Sequence, residues 1–308
     1  MTRITRILAL PLLVAAVLIA TACGNSTNTT SSGTGMPGMG TSPMMSSAPS
    51  PMGSGMAGMP GMGDSDMYTG TGLAATVSGF TFTPATTTLA SGKKTSFRFA
   101  IRDSTGMALK DFADDQTKLM HFYLVRSDLT GFQHIHPTMA GDGTWTAALA
   151  PLQAGTWRAY ASFIAKDMSG KQTPLVLSAP LRVPGGMAMT TTLPKAAPST
   201  EVDGYTLKMS GEAMMASMTH ALTVTITRGG KPVTDLQPYL DTYAHLTAFH
   251  QGDMAFAHLH PQGEAMGDHG GPTLTFQAVL AKAGNWRLFL QFQTGGTLHT
   301  AAITVTVG

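Results

Sequence analysis

Six of the ten histidines fall into two triplets that share one spacing. In each triplet an upstream histidine is followed thirteen residues later by the sequence His-x-His-Pro. Imidazole nitrogen is a ligand for copper and for zinc, and three imidazoles on one surface are enough to hold an ion. The triplets therefore predict metal binding, and their members are His121, His134 and His136 in the first and His245, His258 and His260 in the second.

Turn residues predict how the histidines of a triplet meet. In the second triplet Gly252-Asp253 suits a two-residue hairpin turn, which sets Phe249 opposite Phe256 on the neighbouring strand. The same count in the first triplet sets Val125 opposite Phe132. This register places the upstream histidine opposite the last histidine, with the middle one on the same face. We therefore predict two clusters of three imidazoles, each on its own sheet, provided that no bulge interrupts a strand.

A purely structural role for the triplets is the alternative. Each His-x-His-Pro would then end a strand, with the imidazoles hydrogen-bonded to backbone and the proline stopping the ladder. The two copies have diverged elsewhere, for example at Phe122 and Leu246, yet both keep the full triplet. This retention favours ligand binding over the structural role.

Other donors follow the triplets along the chain. Met139 follows the first triplet, and the longer loop after the second carries Met266 and His269. A thioether from either methionine would add a soft ligand to the imidazoles. The histidines outside these positions are predicted to be surface or hydrogen-bonded residues, namely His220, His250 and His299.

A methionine-rich segment precedes the repeats. Solvated linkers normally avoid apolar side chains, yet nine methionines occur here, and thioethers are soft ligands that favour Cu(I). We predict that this segment collects Cu(I), the alternative being a low-complexity spacer. The nine are Met36, Met39, Met44, Met45, Met52, Met56, Met59, Met62 and Met67.

The first residues read as an export signal. Arg3 and Arg6 precede an apolar stretch from Ile7 to Ala20, and small residues then lead to Cys23. This ending resembles a bacterial lipoprotein processing site, which implies that Cys23 is lipidated and anchors the chain at the outer face of the cytoplasmic membrane. An ordinary signal peptide with a coincidental cysteine is the alternative. Because Cys23 is the only cysteine, the folded part has neither disulfides nor thiolate metal sites.

The rest of the chain contains two copies of one pattern. Both copies show short runs that alternate apolar and polar residues between turn residues, and neither shows a long helical period. We predict an all-β fold with two tandem immunoglobulin-like or cupredoxin-like β-sandwich domains. The predicted segments are a lipoprotein signal peptide (1–22), a disordered Met/Gly/Ser/Pro-rich tether (23–71), repeat 1 (72–185), a linker (186–199) and repeat 2 (200–308). The alternating runs include Trp157, Ala159, Ala161 and Phe163 in the first copy and Trp286, Leu288, Leu290 and Phe292 in the second.

Charge argues against a nucleic-acid partner. Of the 19 Lys and Arg residues, Arg3 and Arg6 belong to the leader, which leaves 17 against 17 Asp and Glu residues. Proteins that bind nucleic acid through phosphate contacts carry an excess of basic residues. The partners that the sequence suggests are therefore the membrane, through the anchor at Cys23, and a metal ion.

The tandem pattern carries a resemblance to known families. His-x-His-Pro after an upstream histidine, followed by an Ala-Gly-x-Trp-Arg strand, resembles uncharacterised secreted proteins and lipoproteins of bacteria over roughly residues 72–308. More loosely, the chain is similar to exported copper-binding proteins of the CopC and copper-chaperone kind, in architecture and ligand type only. The His/Met spacing of the periplasmic copper chaperones is not reproduced. The resemblance implies copper binding outside the cytoplasm.

These features together predict a non-enzymatic protein that sequesters or delivers copper, as Cu(I) or Cu(II). Zinc is the alternative ion for the imidazoles, and a cuproenzyme or a copper transporter is the expected partner. A metal-dependent enzyme is a second hypothesis, in which Glu264 is the candidate base; the first repeat has no counterpart of Glu264, and no catalytic motif is found. A metal-free surface interaction module is a third.

Overall fold

The computed structural model describes residues 71–167, 169–186, 191–259 and 261–308. Every regular element in these ranges is a β-strand, so the predicted all-β class is confirmed. Within the same ranges there is no apolar helix of the length needed to cross a bilayer. The predicted signal peptide and nearly all of the tether lie outside the described residues, as does His260.

The first repeat folds as two sheets around one core. One sheet has the order β1-β2-β3-β8-β7, and the other has the order β10-β9-β5-β6, with β4 paired to β9. Side chains from both sheets, among them Phe99, Trp145, Phe122 and Phe163, share a single buried cluster. The strands are β1 (Thr76–Val77), β2 (Phe80–Pro84), β3 (Thr95–Arg102), β4 (Phe112–Ala113), β5 (His121–Arg126), β6 (Phe132–Ile135), β7 (Thr138–Met139), β8 (Thr144–Leu149), β9 (Gly155–Lys166) and β10 (Gln172–Val183).

The second repeat has the same plan. One sheet has the order β11-β12-β13-β14, with β17 paired to β13, and the other has the order β16-β15-β18-β19. Its core contains Leu222, Phe276, Trp286 and Phe292. The strands are β11 (Ser199–Val202), β12 (Tyr205–Gly211), β13 (Thr219–Arg228), β14 (Lys231–Pro232), β15 (Ala244–His250), β16 (Phe256–Leu259), β17 (Thr273–Val279), β18 (Gly284–Thr294) and β19 (Thr297–Val307).

The alternating runs found in the sequence supply the inner faces of β9 and β18. Successive side chains of a strand point to opposite faces of its sheet, so every second residue of these runs can enter the core. All eight apolar residues of the two runs do so: Trp157, Ala159, Ala161 and Phe163 in the first core, and Trp286, Leu288, Leu290 and Phe292 in the second.

Strand β5 is buried on both faces. Its six residues are all buried, although an antiparallel strand of a sandwich usually leaves alternate residues in water. Phe122 and Leu124 enter the core of the first repeat, whereas Tyr123 and Val125 belong to a different buried cluster. Strand β15 shows the same double burial. Both strands therefore have an outer face that something else must cover.

Each repeat covers the outer face of the other. The cluster between them draws on both repeats, and the two repeats lie in one compact unit of the chain. Phe132 stacks on Phe289 at 4.2 Å between ring centroids, and Tyr160 lies 5.6 Å from Phe256. The Tyr160 hydroxyl donates a hydrogen bond of 2.6 Å to the Met254 carbonyl. The buried members of this interdomain cluster are Tyr123, Val125, Leu129, Tyr160, Val176, Phe249, Met254, Phe256 and Phe289.

The segment 71–74 crosses between the repeats. The Phe256 N–H in β16 donates to the Thr71 carbonyl at 2.9 Å, and the Ser178 N–H in β10 donates to the Ala74 carbonyl at 2.9 Å. Gly72 lies between them with a φ of +68°, and a Cβ there would come within 3.0 Å of both Val176 and Phe256. Only glycine fits this position without strain.

The interdomain cluster should contribute to the stability of the whole chain. Replacing Phe289 by alanine leaves a cavity under Phe132, and Phe→Ala changes in cores cost on the order of 3–5 kcal/mol. We expect Phe289→Ala to lower the free energy of unfolding by about 3 kcal/mol in urea denaturation. Leu298→Ala, at an exposed position of the neighbouring strand β19, serves as the control. An unchanged free energy for Phe289→Ala would contradict the interdomain packing.

Candidate metal centre

Two hairpins carry the described histidines, in the register predicted from the turns. Val125 pairs with Phe132 in β5–β6, and Phe249 pairs with Phe256 in β15–β16. The ladders run without a bulge over the four paired residues of each hairpin. The predicted register is therefore confirmed where both strands are described. His260, the predicted partner of His245, lies outside the described residues.

The histidines of the two repeats form one cluster, which corrects the expectation of two separate clusters. Ring centroids of His121 and His245 lie 5.4 Å apart, those of His134 and His245 lie 4.8 Å apart, and those of His245 and His258 lie 4.3 Å apart. The physical reason is that both triplets occupy the outer faces of β5–β6 and β15–β16, and these faces pack on each other. The cluster contains His121, His134, His136, His245 and His258.

Burial differs among the five rings. His121 is 0% exposed, His245 is 1% exposed and His258 is 7% exposed. His134 and His136, on the edge strand and just beyond its end, are only partly buried. The histidines on β5 and β15 are thus shielded from solvent. The cluster comes nearest to solvent at His134 and His136 of the first repeat.

Hydrogen bonds fix which nitrogen of two rings carries the proton. His121 Nε2–H donates to the Asp115 carbonyl at 2.9 Å, and His134 Nδ1–H donates to Gln291 Oε1 at 2.6 Å. A neutral imidazole has one N–H and one lone pair. The lone pairs are therefore on His121 Nδ1 and His134 Nε2, and these two atoms face each other at 3.1 Å.

Two facing lone pairs repel each other unless a cation joins them. A proton is a poor candidate, because burial lowers the pKa of His121 and holds the pKa of His134 well below its ordinary value. Repulsion from His121 and His136 lowers the pKa of His134 further. A metal ion accepts lone pairs from neutral rings, and this pair of atoms is suited to bind one.

His136 adds a third donor from the first repeat. Its ring centroid lies 4.7 Å from that of His134 and 5.1 Å from that of His121. The Nε2 atom of His136 is buried and has no hydrogen-bond partner among the described residues. Burial, followed by the charges of His121 and Lys118, lowers the pKa of His136 to about 3. This ring is therefore neutral at physiological pH, the state in which imidazole ligates metals.

The second repeat contributes a close pair of nitrogens. Nε2 of His258 and Nε2 of His245 lie 2.6 Å apart. Ligand atoms of His121, His134 and His245 all lie within 4.8 Å of one another. A tetrahedral ion with Zn–N-type bonds of about 2.0–2.1 Å would hold its nitrogens roughly 3.4 Å apart. Small ring rotations would bring these atoms to that spacing, so this three-histidine group could bind a metal.

Residues around the rings orient them. Gln291 in β18 is 4% exposed and reaches across the domain boundary to His134. Its amide nitrogen donates to Thr300 Oγ1 at 3.3 Å. Tyr123 stacks on His134 at 4.4 Å. Asp115 holds His121 through its carbonyl and places Oδ2 at 3.9 Å from the same nitrogen.

Sequence reasoning missed these orienting residues. Gln291 lies between the inward-facing Leu290 and Phe292, so alternation assigns it to the outer face of β18, where a polar residue needs no explanation. The equivalent position of the first repeat is Ser162, which pairs with His121 as Gln291 pairs with His245. Two polar residues at the same position beside two histidines were the available signal.

The other predicted metal donors lie outside the histidine cluster. Met139 packs against the core of the first repeat, Met266 is 90% exposed, and His269 is exposed. The prediction for the histidines outside the triplets is confirmed: His220 accepts from the Met215 N–H, His250 pairs with Asp253, and His299 pairs with Asp203. Cys23 and the nine tether methionines lie outside the described residues.

One protein-family model matches part of the chain. Residues 200–308, which contain the second repeat, match the model of a domain of unknown function, DUF8832. No curated protein matches the chain.

Several solved structures are similar at low identity. The FdeC adhesin of Escherichia coli is 17% identical, with 74% of this chain and 64% of that chain covered and a TM-score of 0.23. The InvE adhesin of Yersinia pseudotuberculosis is 14% identical, with 74% and 59% covered and a TM-score of 0.22. The Ig1-2 module of the Drosophila receptor phosphatase DLAR is 9% identical, with 74% and 98% covered and a TM-score of 0.20. The chain spans less than two thirds of either adhesin structure.

Lowered histidine pKa values make the metal-free fold sensitive to mild acid. The unfolded chain takes up protons below the ordinary histidine pKa of about 6.5, whereas the folded His134 and His136 stay neutral. The contribution of these two histidines to the free energy of unfolding is therefore fully present above the ordinary histidine pKa. It is lost as the pH falls from that value toward their lower pKa values in the folded protein. We expect the melting temperature of chelator-treated protein to fall between pH 7 and pH 5. His136→Asn should make this fall shallower, and equal melting temperatures at both pH values would contradict the prediction.

Proposed function

We propose that this protein binds copper outside the cytoplasm and either sequesters the metal or delivers it. In this proposal one ion lies in the interdomain histidine cluster, and the methionines of the tether collect Cu(I) upstream of it. The chain is exported, and a lipid anchor at Cys23 holds it at the outer face of the cytoplasmic membrane. The function is non-enzymatic, and the recipient or source of the metal is a cuproenzyme or a copper transporter.

The observation that carries the proposal is the pair of facing lone pairs on His121 and His134. Both rings donate their only N–H elsewhere, to the Asp115 carbonyl and to Gln291. Burial makes protonation unfavourable for both rings. A bound metal ion relieves the repulsion between the two nitrogens at 3.1 Å. A hydrogen-bonded structural histidine pair would instead have one donor and one acceptor.

The ligands come from both repeats in this proposal. His245 belongs to the second repeat and has a ligand atom within 4.8 Å of those of His121 and His134. His258 and His136 are close enough to complete the coordination. The ion therefore binds at the interface, and each repeat supplies part of a site that neither could supply alone.

Ligand chemistry favours copper over zinc. The described cluster offers imidazoles, which suit Cu(I), Cu(II) and Zn²⁺. The nine methionines of the tether add thioethers, which bind Cu(I) well and zinc poorly. A single metal that uses both kinds of ligand is copper. Zinc remains the ion to compare in every titration.

Removing a ligand from either repeat should weaken copper binding. We expect His121→Asn and His245→Asn each to raise the Kd for Cu(II) at least tenfold, or about 1.4 kcal/mol, in competition titrations with a chromophoric chelator. His269→Asn, at an exposed histidine outside the cluster, should leave the Kd unchanged. Circular dichroism of each variant without metal establishes that the fold is intact.

The outcomes of this titration separate the hypotheses. No stoichiometric copper binding by the native protein would reject the proposal. A loss in His121→Asn with no effect of His245→Asn would place the ion in the first repeat alone. If copper and chelator both leave the melting temperature unchanged, a metal-free interaction module becomes the better account, because a ligand of the native state raises the midpoint.

Gln291 should tune the affinity from outside the coordination sphere. It accepts the Nδ1–H of His134 at 2.6 Å, and loss of such partners of metal-bound histidines typically lowers affinity about 10–100-fold. We expect Gln291→Leu to raise the copper Kd by about tenfold or more. Gln291→Glu should restore tight binding, because a carboxylate is a stronger acceptor for the ligand's N–H.

Ser162 provides the matched control at the equivalent position of the first repeat. Its hydroxyl is buried and has no hydrogen-bond partner among the described residues. Ser162→Ala should therefore leave the copper affinity unchanged. Equal effects of Gln291→Leu and Ser162→Ala would show that Gln291 acts only through packing.

A further inference from the structure

The loop between β12 and β13 holds a second group of soft donors, far along the chain from the tether. The sequence Met-Met-Ala-Ser-Met-Thr-His, which runs from this loop into the first two residues of β13, places Met214, Met215, Met218 and His220 within seven residues. Thioether sulfur is a soft donor that prefers monovalent ions such as Cu(I) and Ag(I). Such a group on a folded domain, outside the histidine cluster, calls for a physical explanation.

Two of these methionines face solvent. Met215 is 48% exposed and Met218 is 55% exposed, although a soluble domain gains free energy by burying side chains of this size. Met214 is partly buried against the core of the second repeat. The two exposed side chains therefore lie outside the core of the second repeat, on its surface.

The backbone that carries them is held in one conformation. Its N–H groups are hydrogen-bonded at four successive residues, so little conformational freedom remains to be lost on binding. The donors and acceptors are Met215 N–H to His220 Nε2 (2.8 Å), Ala216 N–H to the Gly308 carbonyl (2.9 Å), Ser217 N–H to the Leu280 carbonyl (2.8 Å) and Met218 N–H to the Met215 carbonyl (3.3 Å).

The last of these bonds closes a turn with a methionine at each end. A turn of four residues brings its first and last Cα atoms within about 7 Å. The methionine side chain has three rotatable bonds and adapts its sulfur position readily. Met215 and Met218 can therefore direct both sulfurs to one ion. The absence of a side chain at Gly308 leaves room beside Met215, whose sulfur lies 3.0 Å from where a Cβ would be.

We infer that Met215 and Met218 form a solvent-facing site for a soft monovalent ion, Cu(I) or Ag(I), on the second repeat. His220 acts as a positioning residue, because its Nε2 lone pair accepts the Met215 N–H. The site is built from neutral sulfur donors and does not depend on the interdomain cluster. It would take Cu(I) from solution or from another thioether ligand, with no change in oxidation state.

A silver titration followed on the methionine methyl groups tests this inference. The full chain is labelled with [¹³C-methyl]methionine and titrated with Ag(I), a redox-inert mimic of Cu(I). We expect the methyl signals of Met215 and Met218 to shift together, with one midpoint. That midpoint should be at least tenfold lower in free Ag(I) than the midpoints of Met107 and Met266, which are exposed methionines without a neighbouring methionine in sequence.

A matched pair of leucine variants completes the test. Met218→Leu keeps an apolar side chain of similar size, and we expect it to weaken the response of Met215 at least tenfold. Met107→Leu should leave the response of Met215 unchanged. The inference is overturned if Met215 and Met218 respond no more strongly than Met107, or if Met215 is indifferent to Met218→Leu.

Failure here is distinguishable from failure of the interdomain copper site. The titration is repeated in His121→Asn/His245→Asn protein, in which the thioether response should persist. Conversely, Met215→Leu/Met218→Leu protein should retain its Cu(II) affinity. Loss of the thioether response in the histidine variant would overturn the independence of the two sites.

Discussion

The need to cover two outer sheet faces organises this protein. Each repeat buries one face of β5–β6 or β15–β16 in its own core. The opposite face carries aromatic and aliphatic side chains, and their exposure to water would cost free energy. Packing these faces on each other removes both from water at once. That arrangement stacks Phe132 on Phe289 and allows the hydrogen bond from the Tyr160 hydroxyl to the Met254 carbonyl.

The histidine cluster depends on the same packing. Histidines at the ends of these faces lie in the interface with their apolar neighbours, and burial lowers the pKa values of His121, His134 and His136. Asp115 and Gln291 orient His121 and His134 from opposite repeats. The chemistry of the centre is thus a consequence of how the sheets dock: remove the docking, and the rings would be solvated, protonatable and free to rotate.

Sequence patterns predicted the elements and the hairpin registers, because these depend on local rules. The alternation of apolar and polar residues predicted which residues of β9 and β18 face the core. The Gly252-Asp253 turn predicted the pairing of Phe249 with Phe256. Docking of the repeats depends on surfaces far apart in the chain, so it was not predicted. The unbroken apolar run of β5 was a signal for it, since a strand buried on both faces loses its alternation. Within its own strand Gln291 gave no signal, because its partner lies 157 residues away. The signal lay in the comparison of the repeats, where Gln291 and Ser162 occupy equivalent positions beside a histidine.

The contacts between the repeats are reciprocal. Phe132 of the first repeat meets Phe289, and Phe256, its counterpart in the second repeat, meets Tyr160, the counterpart of Phe289. His121 and His245, which are also counterparts, stack on each other. A face that pairs with its own copy is self-complementary, the hallmark of a twofold homodimer. One repeat alone would therefore carry half of a symmetric dimer interface, and joining two in one chain makes that dimer's assembly independent of concentration.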